Sequence, residues 1–386
     1  MSLHHNPRIV TDGLVFAYDM DNPAKSWKGK PTTNLFDNPV FATGTRAPWS
    51  YQTTANGDNS IDTSFTYEGF NTAKIVRTST GGEANYWVNS SSVVSGDINP
   101  NTEYTFSAYA YATVANQAAL FSYFGTQSSG FAYHPGGGKW VRLAHTFTSR
   151  STSPYVQLRM WSDTTTLNTP VYFTKLQLEE GSFATPWVNG TRSNTQALLD
   201  MSKSKNTITA TSLTYNSDGT FEFDNSSSNY VDLPNDIGVT GNTISVFAWF
   251  KRNGSPSGGY HIICGGQELE ISIPDPNGAI RVGVYSGGTR YVSNHGSGLL
   301  DGNWHHIGFT SDGTTKTAYI DGESVGTQSI SGTLSSSFSN RRLGRFGSSN
   351  TYYANANISI YQIYNRELTA AEIKQNFNAT RGRFGI

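Results

Sequence analysis

Two acidic residues near the middle of the chain have the spacing of a paired-carboxylate site. Glu268 and Glu270 flank Leu269 in a stretch whose alternating apolar residues predict a β-strand. Alternate residues of a strand share a face, so the two carboxylates would lie roughly 7 Å apart at about 3.3 Å per residue. Retaining glycoside hydrolysis needs its two carboxyl groups about 5–5.5 Å apart. The spacing therefore disfavours a hydrolase.

The same stretch, Glu268–Pro274, also resembles a known enzyme signature. It begins like the E-[IL]-D-x-x-E segment of family-16-type glycoside hydrolases, which fold as β-sandwiches. This resemblance places the acid/base carboxylate at Ser272 or Ile273, and neither residue carries a carboxyl group. A nucleophile without its acid does not complete the reaction. We therefore predict that the protein is not an enzyme and hydrolyses neither β-glucan nor galactan.

Aromatic residues are the second kind of residue with functional potential. An exposed ring can stack on the apolar C–H face of a sugar while polar neighbours bind its hydroxyl groups. The alternative is that each ring belongs to the core of a β-sandwich, where aromatic residues are common. Trp140 is assigned to such a core. The candidates for carbohydrate binding are Trp49, Tyr51, Tyr86, Trp87, Tyr133, Trp161, Tyr291, Tyr352 and Tyr353.

The remaining polar motifs give little support to metal or phosphate chemistry. His261, His295, His305 and His306 show no metal-ligand spacing with a Cys or carboxylate cluster. Gly136–Gly138 precedes a predicted strand rather than a helix. It is therefore predicted to be a turn and not a phosphate-binding loop.

The strand that opens the chain has its continuation far along the sequence. In Ile9–Asp19 an apolar and aromatic run follows Asp12-Gly13, and a polar loop comes next. This is similar to the start of laminin-G-like, concanavalin-A-type domains of phage virion proteins, where DGLV-x-x-x-D, a short Pro/Ser loop and D-L/M-S run together. Here Asp-Met-Ser arrives only at Asp200–Ser202. The resemblance implies one domain formed by residues 1–30 and 193–386, interrupted by residues 31–192.

Later segments resemble the same family in the same order. Phe221–Leu233 is similar to F-x-F-D-G-x-x-D-Y-V, and Gly302–Phe309 resembles G-x-W-H-H-V/I. The resemblance implies that His305 bonds backbone groups inside the sandwich. It also makes a calcium site plausible, with oxygen ligands from Asp19, Asp21 and Asp224, and the alternative is that these residues stabilise turns.

The C-terminal end has a strong local signal. Thr369–Glu372 predicts a capping box, in which the Thr hydroxyl and the Glu carboxylate satisfy free N–H groups at a helix start. Leu368 and Ile373 are placed as a hydrophobic staple. A short helix to about residue 378 is expected to cover the sandwich with Ile373 and Phe377 on one face.

Residues 31–192 resemble a second β-sandwich. Glu103–Ala110 and Lys139–Thr148 alternate in polarity over strand lengths. The order of such strands and the closing segment Gln177–Trp187 resemble the galactose-binding-like jelly rolls of carbohydrate-binding modules. Many of those relatives hold calcium through an Asp in the last strand. Thr174–Lys175 stands there in this chain, which disfavours calcium in the insert.

Composition agrees with an all-β chain. Charged residues are only 14% of the 386 residues, and this low charge with abundant Gly, Ser, Thr and Tyr favours compact β domains over helices or disorder. The net charge of −1 gives no reason to expect a nucleic-acid partner. No stretch approaches the roughly 18 apolar residues that span a bilayer. The single cysteine, Cys264, excludes an intrachain disulfide and favours assembly in a reducing cytosol.

The sequence thus predicts an all-β protein with two β-sandwich (jelly-roll) domains, of which the concanavalin-A-like one is discontinuous, and a short C-terminal helix. The predicted function is that of a non-enzymatic virion surface protein of a tailed phage, in a tail or head fibre or as decoration, assembled in the bacterial host cytoplasm. Its lectin-like domains would bind cell-surface or environmental glycans for host attachment. The alternative is a purely structural decoration or connector subunit of the capsid or tail.

Under both hypotheses the expected partners are other virion subunits, and the protein is expected to form a homo-oligomer. Neither hypothesis includes a nucleic-acid partner or insertion into a membrane. We expect the insert to meet the sugar through Trp49, Tyr51, Tyr86 and Trp87. The discontinuous domain, which supplies the termini and the helix, is expected to be the anchor to other subunits.

Overall fold

The computed structural model describes residues 8–52, 57–79, 86–88, 98–124, 127–149, 155–160, 166–216, 221–226, 228–233, 237–239, 241–266, 268–335, 341–347 and 351–386. For residues 51–52, 86–88, 123–124, 127–129 and 155 it describes the backbone alone. The chain separates into two compact units, Met1–Lys30 with Ser193–Ile386, and Pro31–Arg192. We call the first unit the discontinuous domain and the second the insert.

Within the described residues the fold is all-β, with one α-helix near the C-terminus. In chain order the elements are β1 (Leu14–Asp19), β2 (Thr32–Thr33), β3 (Ser50–Gln52), β4 (Gly57–Tyr67), β5 (Phe70–Arg77), β6 (Tyr86–Val88), β7 (Glu103–Ala112), β8 (Ala118–Phe124), β9 (Gln127–Tyr133), β10 (Lys139–Thr148), β11 (Tyr155–Met160), β12 (Val171–Glu180), β13 (Thr191–Arg192), β14 (Thr209–Thr211), β15 (Thr214–Tyr215), β16 (Phe221–Asp224), β17 (Tyr230–Asp232), β18 (Ile244–Arg252), β19 (Tyr260–Gly265), β20 (Leu269–Pro274), β21 (Ile280–Ser286), β22 (Thr289–His295), β23 (Trp304–Ser311), β24 (Thr315–Ile320), β25 (Glu323–Ser329), β26 (Arg342–Leu343), β27 (Asn355–Tyr364) and α1 (Ala370–Thr380).

The discontinuous domain is a sandwich of two antiparallel sheets. The helix-side sheet has the order β15–β16–β27–β18–β23–β24–β25, with β1 also paired to β27. The pocket-side sheet has the order β14–β17–β26–β19–β20–β21–β22. Alternation within each strand builds the core between them: Val246, Ala248 and Phe250 of β18 face Ile271 and its neighbours on the other sheet. This confirms the predicted fold class for this domain.

The two parts of the interrupted opening motif meet in the structure. β1 pairs with β27, with Tyr18 opposite Tyr361. The Ala17 N–H donates to the Asp200 carboxylate at 3.0 Å, and the Ser202 hydroxyl donates to the Val15 carbonyl at 2.9 Å. Side chains from the distant Asp-Met-Ser segment therefore satisfy backbone groups of β1 that β27 does not.

The C-terminal helix begins as predicted. The Thr369 side chain accepts from the Glu372 N–H, and the Glu372 side chain accepts from the Thr369 N–H. Ile373 packs with Phe247, and Phe377 packs with Trp249, on the face of the helix-side sheet that points away from the core. The capping box and the buried helix face are confirmed, and α1 extends to Thr380. No helix in the described part of the chain is long and apolar enough to cross a membrane.

The insert is also a sandwich, of two five-stranded sheets. Their orders are β10–β7–β12–β5–β4 and β3–β6–β11–β8–β9, with Phe106 and Leu158 in the core between them. The assignment of Trp140 to this core is wrong. Trp140 lies opposite Tyr111 in the β10–β7 pair, on the outward phase of both strands, and its ring lies 4.8 Å from that of Tyr67. Ala110 and Leu143 are buried, so their faces of β7 and β10 point into the core. Trp140 lies on the opposite face of β10 and therefore points out of the core.

The two ends of the insert lie side by side, which makes excision a direct test of domain independence. Thr32 pairs with Arg192 between β2 and β13, and the Lys28 N–H donates to the Ala197 carbonyl at 2.8 Å on the other side of the junction. Joining Lys30 to Ser193 through two glycines is therefore expected to leave a folded discontinuous domain, because an insertion between close chain ends leaves the host core intact.

Circular dichroism and urea unfolding of the excised protein and of isolated residues 31–192 measure this. A variant that lacks the first 21 residues is the control. It is expected not to fold, because it loses the buried rings of Phe16 and Tyr18. An excised protein that is unfolded while the insert folds alone would contradict independence of the discontinuous domain.

Candidate functional site

The pocket-side sheet carries a pocket on the face that points away from the core. Leu269 and Ile271 of β20 and Val282 of β21 face the core, so the residues between them face outward. Glu270 and Arg281 thereby reach one surface depression of about 220 Å³. Its lining is completed by β19, β22 and two loop residues, and consists of Tyr260, Ile262, Glu270, Arg281, Arg290, Phe346 and Tyr352.

A buried carboxylate lies at the centre of this pocket. Glu270 accepts from Arg281 Nε at 3.0 Å and from the Ser272 hydroxyl at 2.6 Å, and its other oxygen accepts from Arg290 Nη2. Gly283 lies opposite Glu270 on β21, where a Cβ would lie 3.2 Å from the Glu270 carboxylate. The absence of a side chain at this position gives the carboxylate room to hold both guanidinium groups.

Three aromatic rings form the wall around the charges. The Tyr352 ring lies 5.7 Å from that of Tyr260 and 6.3 Å from that of Phe346, both close to perpendicular. The Arg281 guanidinium lies 5.5 Å from the centre of the Tyr260 ring, and that of Arg290 lies 5.6 Å from the Phe346 ring. These cation–π contacts help to hold the two guanidinium groups in position.

Tyr352 owes its place to a glycine. Gly258 has a φ of +73°, and a Cβ there would lie 2.4 Å from the Thr351 carbonyl and 2.6 Å from the Tyr352 ring. Only glycine allows this approach together with this backbone conformation. Tyr352 remains 36% exposed, so part of the residue is accessible to a ligand.

A lysine is buried behind the pocket, between the two sheets. Lys316 of β24 is 1% exposed, and its Nζ donates to the carbonyls of Val282 at 2.6 Å and Tyr291 at 2.8 Å. Burial lowers the pKa of Lys316 to about 7, against the opposing effect of Glu270 and with the help of Arg290 and Arg281. The Lys316 ammonium group therefore interacts electrostatically with Glu270, Arg281 and Arg290 of the pocket.

Two of the aromatic candidates are core residues, and for them the prediction of sugar binding is wrong. Trp49 is 2% exposed, and its ring packs 5.0 Å from that of Phe36 and 6.3 Å from that of Phe41. Tyr353 is buried as well, beside the exposed Tyr352. Rings without an accessible face cannot stack on a sugar.

The other candidates are spread over the chain. Tyr352 lines the pocket. Tyr291 is half-buried on the core side of β22, and its hydroxyl is 2.7 Å from that of Ser331. Tyr133 is 40% exposed and stacks on Phe131 at 5.3 Å. Tyr291 is not among the residues that line the pocket, and Tyr133 belongs to the insert.

Four more candidates fall where the structure describes little or nothing. Tyr51 lies on β3 opposite Trp87 on β6, and Tyr86 is next to it, but only their backbone is described. Trp161 lies outside the described residues. The expectation that these rings bind sugar stays a prediction.

The three aspartates considered for calcium have other partners. Arg383 donates to both oxygens of Asp19, at 2.8 and 2.6 Å, and to Asp21 at 2.8 Å. Asp224 accepts from the Thr214 hydroxyl at 2.6 Å. A single guanidinium thus engages oxygens of two of these carboxylates, which would have to release it to bind a calcium ion, and a calcium site at these residues stays a prediction. Across the described residues there is no group of three or more His, Cys, Asp or Glu that could hold a metal.

The role expected of His305 is also wrong. Its Nδ1 lies 2.9 Å from the Asp321 carboxylate and its Nε2 lies 3.1 Å from that of Asp301, so it bonds side chains at the surface. These contacts raise the pKa of His305 against the effect of its partial burial. His306 is the buried member of the pair, stacked at 5.2 Å on Phe247.

Sequence reasoning missed Arg281, Arg290, Tyr260 and Phe346 as site residues. A usable signal existed for the two arginines. Arg281 lies in Ile-Arg-Val-Gly-Val and Arg290 in Thr-Arg-Tyr-Val, and these segments belong to two consecutive strands. In each strand the arginine alternates with residues that face the core. A hairpin places such residues on one face. No signal in the sequence shows that Phe346 and Tyr352 come to the same place.

Comparison with known proteins supports the concanavalin-A-like assignment of the discontinuous domain. The concanavalin A-like lectin/glucanases superfamily matches residues 224–374, which include every pocket residue. No curated protein matches the chain. Among solved structures, this chain has similarity to the binding domain of Paraclostridial Mosquitocidal Protein 1, with 17% identity and a TM-score of 0.37 over 47% of this chain and 49% of that one.

Two further solved structures are similar. One is the botulinum neurotoxin serotype G binding domain, with 16% identity and a TM-score of 0.38 over 47% of this chain and 48% of that one. The other is the enzymatically active domain of bacteriophage CBA120 tailspike protein 4, with 9% identity and a TM-score of 0.31 over 39% of this chain and 22% of that one. The matched regions thus span about half of each toxin domain and less of the tailspike.

Proposed function

We propose that this protein is a non-enzymatic, lectin-like surface protein of a tailed-phage virion, and that the pocket around Glu270 binds glycans for attachment. The observation that carries the proposal is the combination of an exposed Tyr352 ring with two fixed guanidinium groups in one pocket. An amphipathic ring beside oriented donors is the arrangement that recognises a sugar. The virion location rests on the resemblance of the opening strand and of Phe221–Leu233 to phage virion domains.

The pocket chemistry supports binding over catalysis. Glu270 is the carboxylate that could act as a nucleophile, but it accepts bonds from Arg281, Arg290 and Ser272. Glu268 precedes β20, and its carbonyl accepts from the Tyr285 N–H. In the described part of the lining there is no second carboxylate. The residues present can hold a ligand, and none of them is placed as its general acid.

The choice of domain differs from the sequence-based expectation. That expectation placed glycan binding in the insert through Trp49 and its neighbours, and Trp49 is in the core. The discontinuous domain offers a pocket with an exposed ring and matches the lectin/glucanases superfamily. We therefore assign glycan binding to the discontinuous domain.

Single sites of this size bind sugars weakly, so attachment requires several copies. One stacked ring contributes about 1 kcal/mol, comparable to an aromatic pair. A homo-oligomer on the virion surface gains avidity because linked sites raise the effective concentration of the ligand. The proposal accordingly includes other copies of this chain as partners.

Replacing Tyr352 by alanine tests the site. Tyr352→Ala is expected to weaken glycan binding about fivefold, the equivalent of about 1 kcal/mol of lost stacking. The measurement is binding of the full-length protein, made multivalent on beads, to a glycan array. Tyr133→Ala is the matched control, since this ring is equally exposed but lies in the insert.

The two variants separate the possible outcomes. Loss of binding in Tyr133→Ala with full binding in Tyr352→Ala would return the glycan site to the insert. Absence of any bound glycan for the wild-type protein would leave the structural decoration or connector role as the better account.

A further inference from the structure

Among the residues that the structure describes, the pocket lining presents hydrogen-bond donors to a ligand and almost no acceptors. Glu270 is the only acidic side chain among the described lining residues, and its carboxylate is buried and bonded to Ser272, Arg281 and Arg290. Apart from two tyrosine hydroxyls, the other lining side chains are apolar or cationic. A neutral sugar hydroxyl both donates and accepts, and it is best bound where carboxylate or amide oxygens are also free. The lining favours a ligand group that only accepts.

Arg281 has the geometry to bind such a group. Its Nε donates to Glu270, and its guanidinium group lies over the Tyr260 ring at 5.5 Å. Among the residues that the structure describes, the two Nη groups of Arg281 have no partner. Two parallel N–H donors on one guanidinium match the two oxygens of a carboxylate or sulfate. Glu270 and Tyr260 hold this fork in place before a ligand arrives, which reduces the entropy lost on binding.

The charged side chains of the pocket differ in their exposure to solvent. The Glu270 side chain is 4% exposed, whereas those of Arg281 and Arg290 are 25% and 31% exposed. Two guanidinium groups and one carboxylate give the described lining residues a net charge of +1, with the positive groups toward the solvent. Such a site attracts anions and is sensitive to salt.

We propose that this pocket selects acidic sugars, binding a carboxylate or sulfate group end-on to Arg281 while the apolar face of the sugar ring lies against Tyr352. This inference rests on the proposed function, since it names the ligand class of the same site. It is carried by the free Arg281 fork and by the lack of open acceptors on the lining residues that the structure describes, neither of which a neutral sugar requires.

The test uses the full-length protein on beads and an array that pairs each acidic glycan with its neutral counterpart. One arm carries sialylated and uronate glycans with their desialylated or reduced forms, and the other carries sulfated glycans with their desulfated forms. Binding to acidic members of at least one arm is expected at about 50 mM salt, with a loss of about tenfold at about 500 mM. The two arms distinguish the carboxylate from the sulfate as the recognised group.

Arg281→Lys separates bidentate binding from charge alone. It keeps the positive charge but loses the fork, and is expected to weaken binding of the acidic glycan about tenfold, as for one lost charge-assisted hydrogen bond of about 1.5 kcal/mol. Arg381→Gln, on the exposed C-terminal segment, removes one positive charge elsewhere and is expected to change nothing. Urea unfolding of both variants verifies that they are folded.

The outcomes for this inference and for the proposed function are distinct. If neutral and acidic members bind equally, with no salt effect, selection of acidic sugars is overturned and glycan binding stands. If acidic glycans bind but Arg281→Lys binds them as well as the wild type, the role of the fork is overturned. If no glycan binds, the proposed function itself fails.

Discussion

Lowering the pH from about 7 to about 4.5 is expected to reduce the unfolding free energy of the discontinuous domain by about 2 kcal/mol for each of two buried histidines. His261 lies in β19 and His306 in β23, and both are almost completely buried. Burial lowers the pKa of each to about 4, although Asp275 and Asp321 respectively raise it. In both sites the loss of hydration outweighs the nearby carboxylate.

The sign of the effect follows from proton binding. The ordinary histidine pKa is near 6.5, so between that value and about 4 the unfolded chain binds protons that the folded domain does not. The stability that depends on neutral imidazole is therefore fully present above about pH 6.5 and is lost as the pH falls toward 4. The same two groups have no effect between about pH 7 and pH 9.

His306→Gln is the test variant, and its neighbour is the control. The variant is expected to lose about 2 kcal/mol less than the wild type between about pH 7 and pH 4.5 in urea unfolding, because a neutral amide does not titrate. In His305→Gln the sign is opposite. Asp321 and Asp301 raise the pKa of His305, so this residue contributes stability below the unfolded pKa near 6.5 that is lost as the pH rises through the folded value.

His305→Gln is accordingly expected to lose more stability than the wild type in acid. Adjacent histidines with opposite responses exclude a general effect of histidine removal. If His306→Gln and the wild type lose stability in parallel between these pH values, the His306 imidazole is charged or hydrated in the folded domain, and the account above is wrong.

The sequence identified features that depend on neighbours along the chain. The capping box at Thr369–Glu372 needs only a helix start, and it forms as predicted. The opening strand was recognised by a motif whose second part lies far away, and Asp200 bonds the backbone of β1 because that motif encodes the contact. The capping box is readable because four consecutive residues carry its whole physical requirement, and the opening motif is readable because each of its two parts is a short pattern.

The accessibility of aromatic rings was not readable in the same way. Trp49 precedes a three-residue strand, so no alternation indicates its side, and Phe36 and Phe41 cover it. Trp140 lies in a long strand, where the inward phase belongs to Leu143 and Phe147. Exposure is a property of the assembled sheet, whereas residue type reports only the tendency to be buried.

The pocket itself depends on contacts that span the domain. Tyr260 on β19 meets Tyr352 in a loop before β27, and Arg290 on β22 meets Phe346. The Arg383 pairing with Asp19 is of the same kind, because it joins the first strand to the end of the chain. Local patterns predicted the strands that carry these residues, but the loop conformations that bring them together have no local signature.

Lys316 provides the second large effect, in the alkaline range. This buried side chain has a pKa of about 7, against an ordinary value of 10.5, because burial between the sheets penalises the ammonium form. Between these values the unfolded chain binds a proton that the folded domain does not, so the unfolding free energy rises with pH by up to about 1.4 kcal/mol per pH unit. From about pH 7 to pH 9 the wild type is expected to gain about 2 kcal/mol relative to Lys316→Met, which cannot titrate there.

Urea unfolding of the wild type and Lys316→Met at both pH values measures this relative gain, and the test does not depend on their absolute difference. The absolute difference in unfolding free energy has two opposing parts. Replacing Lys316 by methionine removes a buried charge, which stabilises the domain only at pH values where the ammonium form is present. It also removes the hydrogen bonds to Val282 and Tyr291, which destabilises the domain. Lys374→Met removes an exposed lysine paired with Glu323 and is expected to change the unfolding free energy little at either pH. If the unfolding free energies of the wild type and Lys316→Met change equally between the two pH values, the two carbonyls stabilise the ammonium group enough to offset its burial. The charge behind the pocket would then be permanent, which would strengthen the attraction of the pocket for acidic sugars at neutral pH.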